Sequence, residues 1–304
     1  MSGKLSGMYA ILATPFDSDR NIDQQSLRSL VDFELRAGVH GITILGVLGE
    51  VLRLSDDERR EITRVVVDEV KQRVPVVSGS GATGTDLAIK YSKEAESLGT
   101  DAIMVAPPRL AKQNDEALLK YYEDVAEEVT IPIVVQDEPV TYPVHMSPKL
   151  IERLSEINGI KYLKLEDQPT LIKISQIQGL IGEKLGIFGG LGGLYSFEEL
   201  SRGAVGMMTG FAYPEILVNM YEALLHGKRE IARDFFYKAL PLIRYEAQPS
   251  LSVAIRKELL RRRGAICDTT MREPASKLDQ ASLKELDELL SAIDIAGLLR
   301  KLDL

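Results

Sequence analysis

Residues 132–137, Pro-Ile-Val-Val-Gln-Asp, and residues 160–167, Ile-Lys-Tyr-Leu-Lys-Leu-Glu-Asp, are two short apolar runs separated by an amphipathic stretch at 147–156. Runs this short, rich in β-branched side chains and followed by a helical pattern, read as buried parallel strands joined by a crossover helix. The same unit recurs along the chain. Strand-like runs begin near Tyr9, Gly41, Pro75, Ala102, Pro132, Ile160, Gly186 and Gly206, with starts between 20 (206 − 186) and 34 (75 − 41) residues apart. Amphipathic stretches at 24–37, 56–72, 85–98, 114–129 and 147–156 fill the gaps, and Ser55, Asn114 and Ser147 stand where helix caps are needed.

Eight strand–helix units with right-handed crossovers close naturally into an α/β fold of the (β/α)8 TIM-barrel type. An open doubly wound sheet would more often carry a nucleotide fingerprint after its first strand. The glycine-rich stretch at 77–84, Val-Ser-Gly-Ser-Gly-Ala-Thr-Gly, lacks both the Lys-Ser/Thr end and the dinucleotide spacing, so it reads as a tight strand-to-helix loop. After Phe211 the pattern turns all-helical, at 214–226, 228–245, 250–263 and 283–302. The expected organisation is a barrel over residues 1–226 and a C-terminal helical extension over 227–304. The Arg261-Arg262-Arg263 run is expected to be a solvated helix end.

Composition narrows the function. With 37 Lys and Arg against 45 Asp and Glu, the net charge is −8. Neither nucleic acid nor an anionic membrane is expected as partner, since both need a concentrated basic face. No stretch approaches the roughly 18 apolar residues of a membrane helix, and no signal-peptide core opens the chain. The single cysteine, Cys267, has no partner within the chain, and His40, His145 and His226 lack metal-ligand spacing. A cytoplasmic location and metal-free, cofactor-free chemistry are the expectations.

In such a barrel the active site lies at the C-terminal ends of the strands. Those ends carry Gly46-Val47-Leu48-Gly49-Glu50, Pro107-Pro108-Arg109, Gln136-Asp137-Glu138-Pro139 and Lys164-Leu165-Glu166. Two-residue alternation puts Ile160, Tyr162, Lys164 and Glu166 on one face. A lysine buried among Leu and Tyr loses solvation of its ammonium form, which favours the neutral, nucleophilic amine. Such an amine condenses with a ketone to give a Schiff base. Spacing alone equally allows a Lys164–Glu166 ion pair or a side chain snorkelling to the rim.

From Gly7-Met-Tyr-Ala-Ile-Leu-Ala-Thr-Pro-Phe16 through the Gly-x-x-Gly-Glu loop at 46–50 to the last helices, the chain resembles the dihydrodipicolinate synthase/N-acetylneuraminate lyase family of class I Schiff-base barrels. The resemblance implies that Lys164 forms the imine, that Gly189 and the Met207–Thr209 segment lie beside a 2-keto acid substrate, and that the protein assembles as a homotetramer. It also exposes departures. Gln136 stands where the family has a proton-relaying tyrosine, and Val47 and Leu48 where it has two hydroxyls. Arg109 matches a tyrosine donated by a neighbouring subunit, and Thr141 an arginine that binds the substrate carboxylate. An amide is no general acid near neutral pH, so a tyrosine-relayed aldol reaction fits poorly.

The segments Val135-Gln136-Asp137-Glu138-Pro139, Lys164-x-Glu166 and Pro241-Leu242-Ile243, with Glu246 and Gln248, resemble the 2-keto-3-deoxy-L-arabonate dehydratase branch. What the branch implies is dehydration of a 2-keto-3-deoxy sugar acid, with 2-oxoglutarate semialdehyde as the five-carbon product. Lys164 would form the imine, Gln136 position substrate or water, and Glu166 either accept a proton or only orient Lys164. Gly46, Val47, Leu48, Arg109, Gly189, Met207 and Thr209 would bind substrate. The alternatives are a synthase or pyruvate-dependent aldolase with another relay, and a barrel that binds ligands without catalysis. Glu50 is expected to be structural, closing its loop by accepting backbone N–H bonds.

Overall fold

The computed structural model describes residues 4–109, 112 and 114–302; residues 1–3, 110, 111, 113, 303 and 304 lie outside the described residues. Eight strands, β1 (Gly7–Ile11), β2 (Gly41–Ile44), β3 (Val76–Gly79), β4 (Ala102–Val105), β5 (Ile133–Asp137), β6 (Ile160–Leu165), β7 (Gly186–Gly189) and β8 (Gly206–Thr209), close in sequence order. All neighbours pair in parallel, and β8 returns to β1 through Gly7↔Gly206 and Tyr9↔Met208. This is the (β/α)8 barrel expected from the repeat, followed by further helices.

Helices α1 (Gln24–Arg36), α2 (Asp56–Val70), α3 (Thr85–Ser97), α4 (Asp115–Glu127), α5 (Pro148–Leu154), α6 (Thr170–Ile181), α7 (Ser196–Ser201) and α8 (Pro214–Leu225) alternate with the strands. Their starts follow local chemistry. Ser55 accepts from the Glu58 N–H while Glu58 reaches back to the Ser55 N–H, and the Asn114 and Ser147 side chains cap α4 and α5. The C-terminal helices are α9 (Arg229–Glu246), α10 (Ser252–Arg262), α11 (Gln280–Ala292) and α12 (Ile295–Leu299). The continuous helix expected at 283–302 is thus two helices, because Ile293 is extended and Asp294 caps α12 through the Gly297 N–H. Arg263 is not solvated as expected. It pairs with Glu215 at 2.7 Å and lies over the Phe33 and Tyr213 rings.

Strand register fixes which side chains enter the barrel. Tyr9, Tyr162 and Phe188 face inward and pack together, with ring centroids 5.3 Å and 5.8 Å apart for Tyr9–Phe188 and Tyr162–Phe188. Gly41 makes room for them, since a Cβ there would lie 2.0 Å from the Tyr9 ring. This aromatic floor lies at the N-terminal side, where the Leu5 N–H donates to the Tyr162 hydroxyl at 2.8 Å. Among the described residues no helix is long and apolar enough to cross a membrane.

Candidate active site

Two residues beyond Tyr162 on the same face of β6 comes Lys164, in register with Gln136 of β5 and Phe188 of β7. Lys164 therefore points into the barrel above the aromatic floor. Its side chain is only 4% exposed, and its Nζ lies 2.6 Å from Glu166 Oε2. Gln136 Nε2 donates to the same oxygen at 3.3 Å, and the Leu191 N–H donates to Glu166 Oε1 at 3.2 Å. One carboxylate thus collects an ammonium, an amide and a backbone N–H. The turn after β7 allows this closeness, because a Cβ on Gly190 would sit 2.4 Å from Glu166 Cγ.

Lys164, Glu166 and Gln136, singled out from the sequence, are therefore brought together. Asp137 is not with them, although it follows Gln136 directly. Register pairs it with Leu165 on the outward face, where it meets Lys173 of α6 at 2.5 Å. Burial outweighs the Lys173 charge and raises the Asp137 carboxyl to about 6.

The remaining candidates line the mouth or its back. Gly46 lies over inward Ile11 and Met104, while Leu48 is buried against Gly210, where a Cβ would lie 1.9 Å from Leu48 Cδ2. Val47 is exposed beside it, and Arg109 is exposed after β4. Gly189 pairs with Met207, and both face outward with Leu165; a Cβ on Gly189 would strike Glu199 of α7. Met8↔Met207 and Ala10↔Thr209 place Thr209 on that outer face too. The β8 side chain that enters the barrel is Met208, so Gly189, Met207 and Thr209 can reach substrate only through their backbone.

The sequence reading did not single out Glu138 and Tyr142 as site residues, yet both belong to the mouth electrostatically. Burial raises the Glu138 carboxyl, Glu166 adds to the rise and Lys164 opposes it, while Glu138 accepts the Thr141 N–H at 2.9 Å. Burial also pushes the Tyr142 hydroxyl up to about 12, helped by Glu138. Glu50 accepts one backbone N–H, from Arg272 at 2.9 Å, and the Lys257 ammonium at 2.7 Å. It therefore ties the loop after β2 to the C-terminal helices rather than closing the loop on itself.

The dihydrodipicolinate synthetase family model matches residues 4–293. The chain belongs to this family. A 4-hydroxy-tetrahydrodipicolinate synthase of Methanospirillum hungatei is 32% identical over 296 residues, covering 95% of this chain and 99% of that protein. An L-2-keto-3-deoxyarabonate dehydratase of Azospirillum brasilense is 28% identical over 292 residues, covering 95% and 94%. The crystal structure of a dihydrodipicolinate synthase from Rhodopseudomonas palustris superposes with a TM-score of 0.89 at 33% identity, over 95% of this chain and 98% of that one. Relatives within the dihydrodipicolinate synthetase family thus carry both synthase and dehydratase names.

Proposed function

We propose that this protein is a Schiff-base lyase of 2-keto acids and, within that class, a dehydratase of a 2-keto-3-deoxy sugar acid such as 2-keto-3-deoxy-L-arabonate. The supporting observation is the Lys164–Glu166 pair, 2.6 Å apart, with the Gln136 amide on the same carboxylate oxygen. A base already in contact with the amine suits proton transfer at carbon 3, and no tyrosine hydroxyl stands at position 136 to relay protons for an aldol step.

Glu166 takes the ammonium proton, and the Lys164 amine attacks carbon 2. The carbonyl oxygen leaves as water, giving a protonated imine that acidifies carbon 3. Glu166 removes a carbon 3 proton, the electron pair forms an enamine, and the enamine expels the carbon 4 hydroxyl, which takes that proton and departs as water. A proton shift from carbon 5 to carbon 3, ketonisation of the resulting enol by transfer of its hydroxyl proton to carbon 4, and hydrolysis of the imine release 2-oxoglutarate semialdehyde from the five-carbon substrate. Gln136 holds substrate or water, and the carbon 1 carboxylate meets the backbone at Gly46, Val47 and Leu48 with Arg109 as its cationic partner. Residues 1–226 carry this chemistry, residues 227–304 brace it, and the working assembly is a homotetramer.

The second reading, a synthase or aldolase, is favoured by the synthase names of relatives such as that of Methanospirillum hungatei. Incubation with 2-keto-3-deoxy-L-arabonate separates the two: dehydration yields the semialdehyde, and retro-aldol cleavage yields pyruvate and glycolaldehyde. Borohydride reduction with pyruvate, followed by peptide mapping, is expected to mark Lys164. No adduct with either compound would move a non-catalytic barrel to the front.

A further inference from the structure

The three-residue turn after β7, Leu191–Gly193, has charged side chains on two sides. Glu166 binds its Leu191 N–H, as described above. On the other side lies Arg256 of α10, whose Nη2 would be 2.7 Å from a Cβ on Gly192. Gly192 has φ +66 and no side chain, so the turn both adopts this shape and admits the guanidinium. Arg256 thereby reaches, from the helical extension, the turn that rims the C-terminal mouth of the barrel.

Its hydrogen-bonding is incomplete. The side chain is 9% exposed, and its nearest carboxylate, Glu246, stands 3.4 Å from Nε without a hydrogen bond from that nitrogen. Glu246 Oε2 accepts the Ala212 N–H at 3.1 Å, and among the described residues its Oε1 has no hydrogen-bond partner. Among the described residues neither terminal nitrogen makes a hydrogen bond. A nine-tenths buried guanidinium normally satisfies its fork of donors, and a planar carboxylate does so with two parallel bonds. The carbon 1 carboxylate is assigned to the loop after β2 and Arg109, across the mouth from β7.

We propose that Arg256 receives a second carboxylate at the far end of the substrate, so that the preferred 2-keto-3-deoxy acids are acidic at both ends. This rests on the reading of the barrel mouth as a 2-keto acid site and narrows its substrate class. An acid ending in an alcohol, 2-keto-3-deoxy-L-arabonate included, leaves the fork unfilled and is expected to be a poorer substrate of the same site than a diacid.

The test is titration calorimetry with stable keto acids matched in length: 2-oxoglutarate against 2-oxovalerate, and 2-oxoadipate against 2-oxohexanoate. A charge-assisted bidentate contact is expected to make at least one diacid bind about tenfold or more tightly than its partner in the wild-type protein. In Arg256→Gln that ratio falls to near one, and in Arg256→Lys, which keeps the charge and loses the fork, it falls part of the way. Equal affinities in the wild type, or a ratio that survives Arg256→Gln, would overturn the proposal. The wild-type ratio decides even where the variants do not fold. Borohydride trapping with pyruvate runs alongside: a Lys164 adduct with a ratio of one defeats the far-end carboxylate alone. A preserved ratio without any adduct defeats the Schiff-base reading alone.

Discussion

Lys164 Nζ and Glu166 Oε2 lie 2.6 Å apart on one face of β6, and the carboxylate is further held by Gln136 and the Leu191 N–H. The nucleophile and its base are thereby separable by mutation. Lys164→Ala is expected to abolish the borohydride adduct and turnover while circular dichroism stays unchanged. Glu166→Gln keeps the amine, so the adduct still forms, and turnover falls on the order of 10²-fold or more, the usual contribution of a positioned general base. Undiminished turnover in Glu166→Gln would assign proton transfer to another group.

Gly190 tests whether the position of that carboxylate matters. A methyl group there would lie 2.4 Å from Glu166 Cγ and 2.6 Å from Oε1, so Gly190→Ala must push the carboxylate away from Lys164. We expect kcat to drop at least about tenfold, since small misplacements of a catalytic group carry large rate penalties. The thermal midpoint should shift far less than in a core variant. A kcat equal to that of the wild type would mean that Glu166 orients nothing in the rate-limiting step.

The eight-fold repeat and the two-residue alternation were enough to read the barrel and the shared face of Lys164 and Glu166, because both are local properties of the chain. Gln136 joined them only through strand register, which pairs it with Lys164. Facing needed more than the sequence: a resemblance marks Gly189, Met207 and Thr209 as a segment beside the substrate, and only register shows their outward direction. Arg256 left no local signal at all. It sits in an ordinary amphipathic helix, and its approach to the mouth depends on a bare glycine in a distant turn.

The Glu50–Lys257 pair, 2.7 Å apart with both side chains fully buried, clamps the loop after β2 to α10. Lys257 also donates to the Thr270 carbonyl at 2.7 Å and lies 4.6 Å from the Phe16 ring centroid. Glu50→Ala leaves that ammonium without a counter-charge, which typically removes about 3–5 kcal/mol of stability. Urea unfolding should show the loss as a lower midpoint, and Glu50→Leu combined with Lys257→Met should recover part of it. A midpoint within error of the wild type would show that the clamp is dispensable.

Glu34 of α1 is buried, its Oε2 has no hydrogen-bond partner among the described residues, and burial raises its carboxyl to about 8, with Glu215 adding to the rise and Arg263 opposing it. Burial likewise raises Glu246 to about 7 despite Arg256. Both groups hold their protons more tightly in the folded chain than at the ordinary value of 4.5. Their contribution is therefore complete below about pH 4.5 and is lost as the pH rises through 7 and 8. We expect the thermal midpoint to fall between pH 5 and pH 8.5, opposite to the acid-side loss that paired surface carboxylates cause below that window. Glu34→Gln removes one titration, worth at most about 1.4 kcal/mol per pH unit, so it should flatten the slope and raise the midpoint at pH 8.5. Scanning calorimetry across that range decides the matter: a flat wild-type profile, or a Glu34→Gln profile parallel to it, would show that Glu34 stays ionised in the fold.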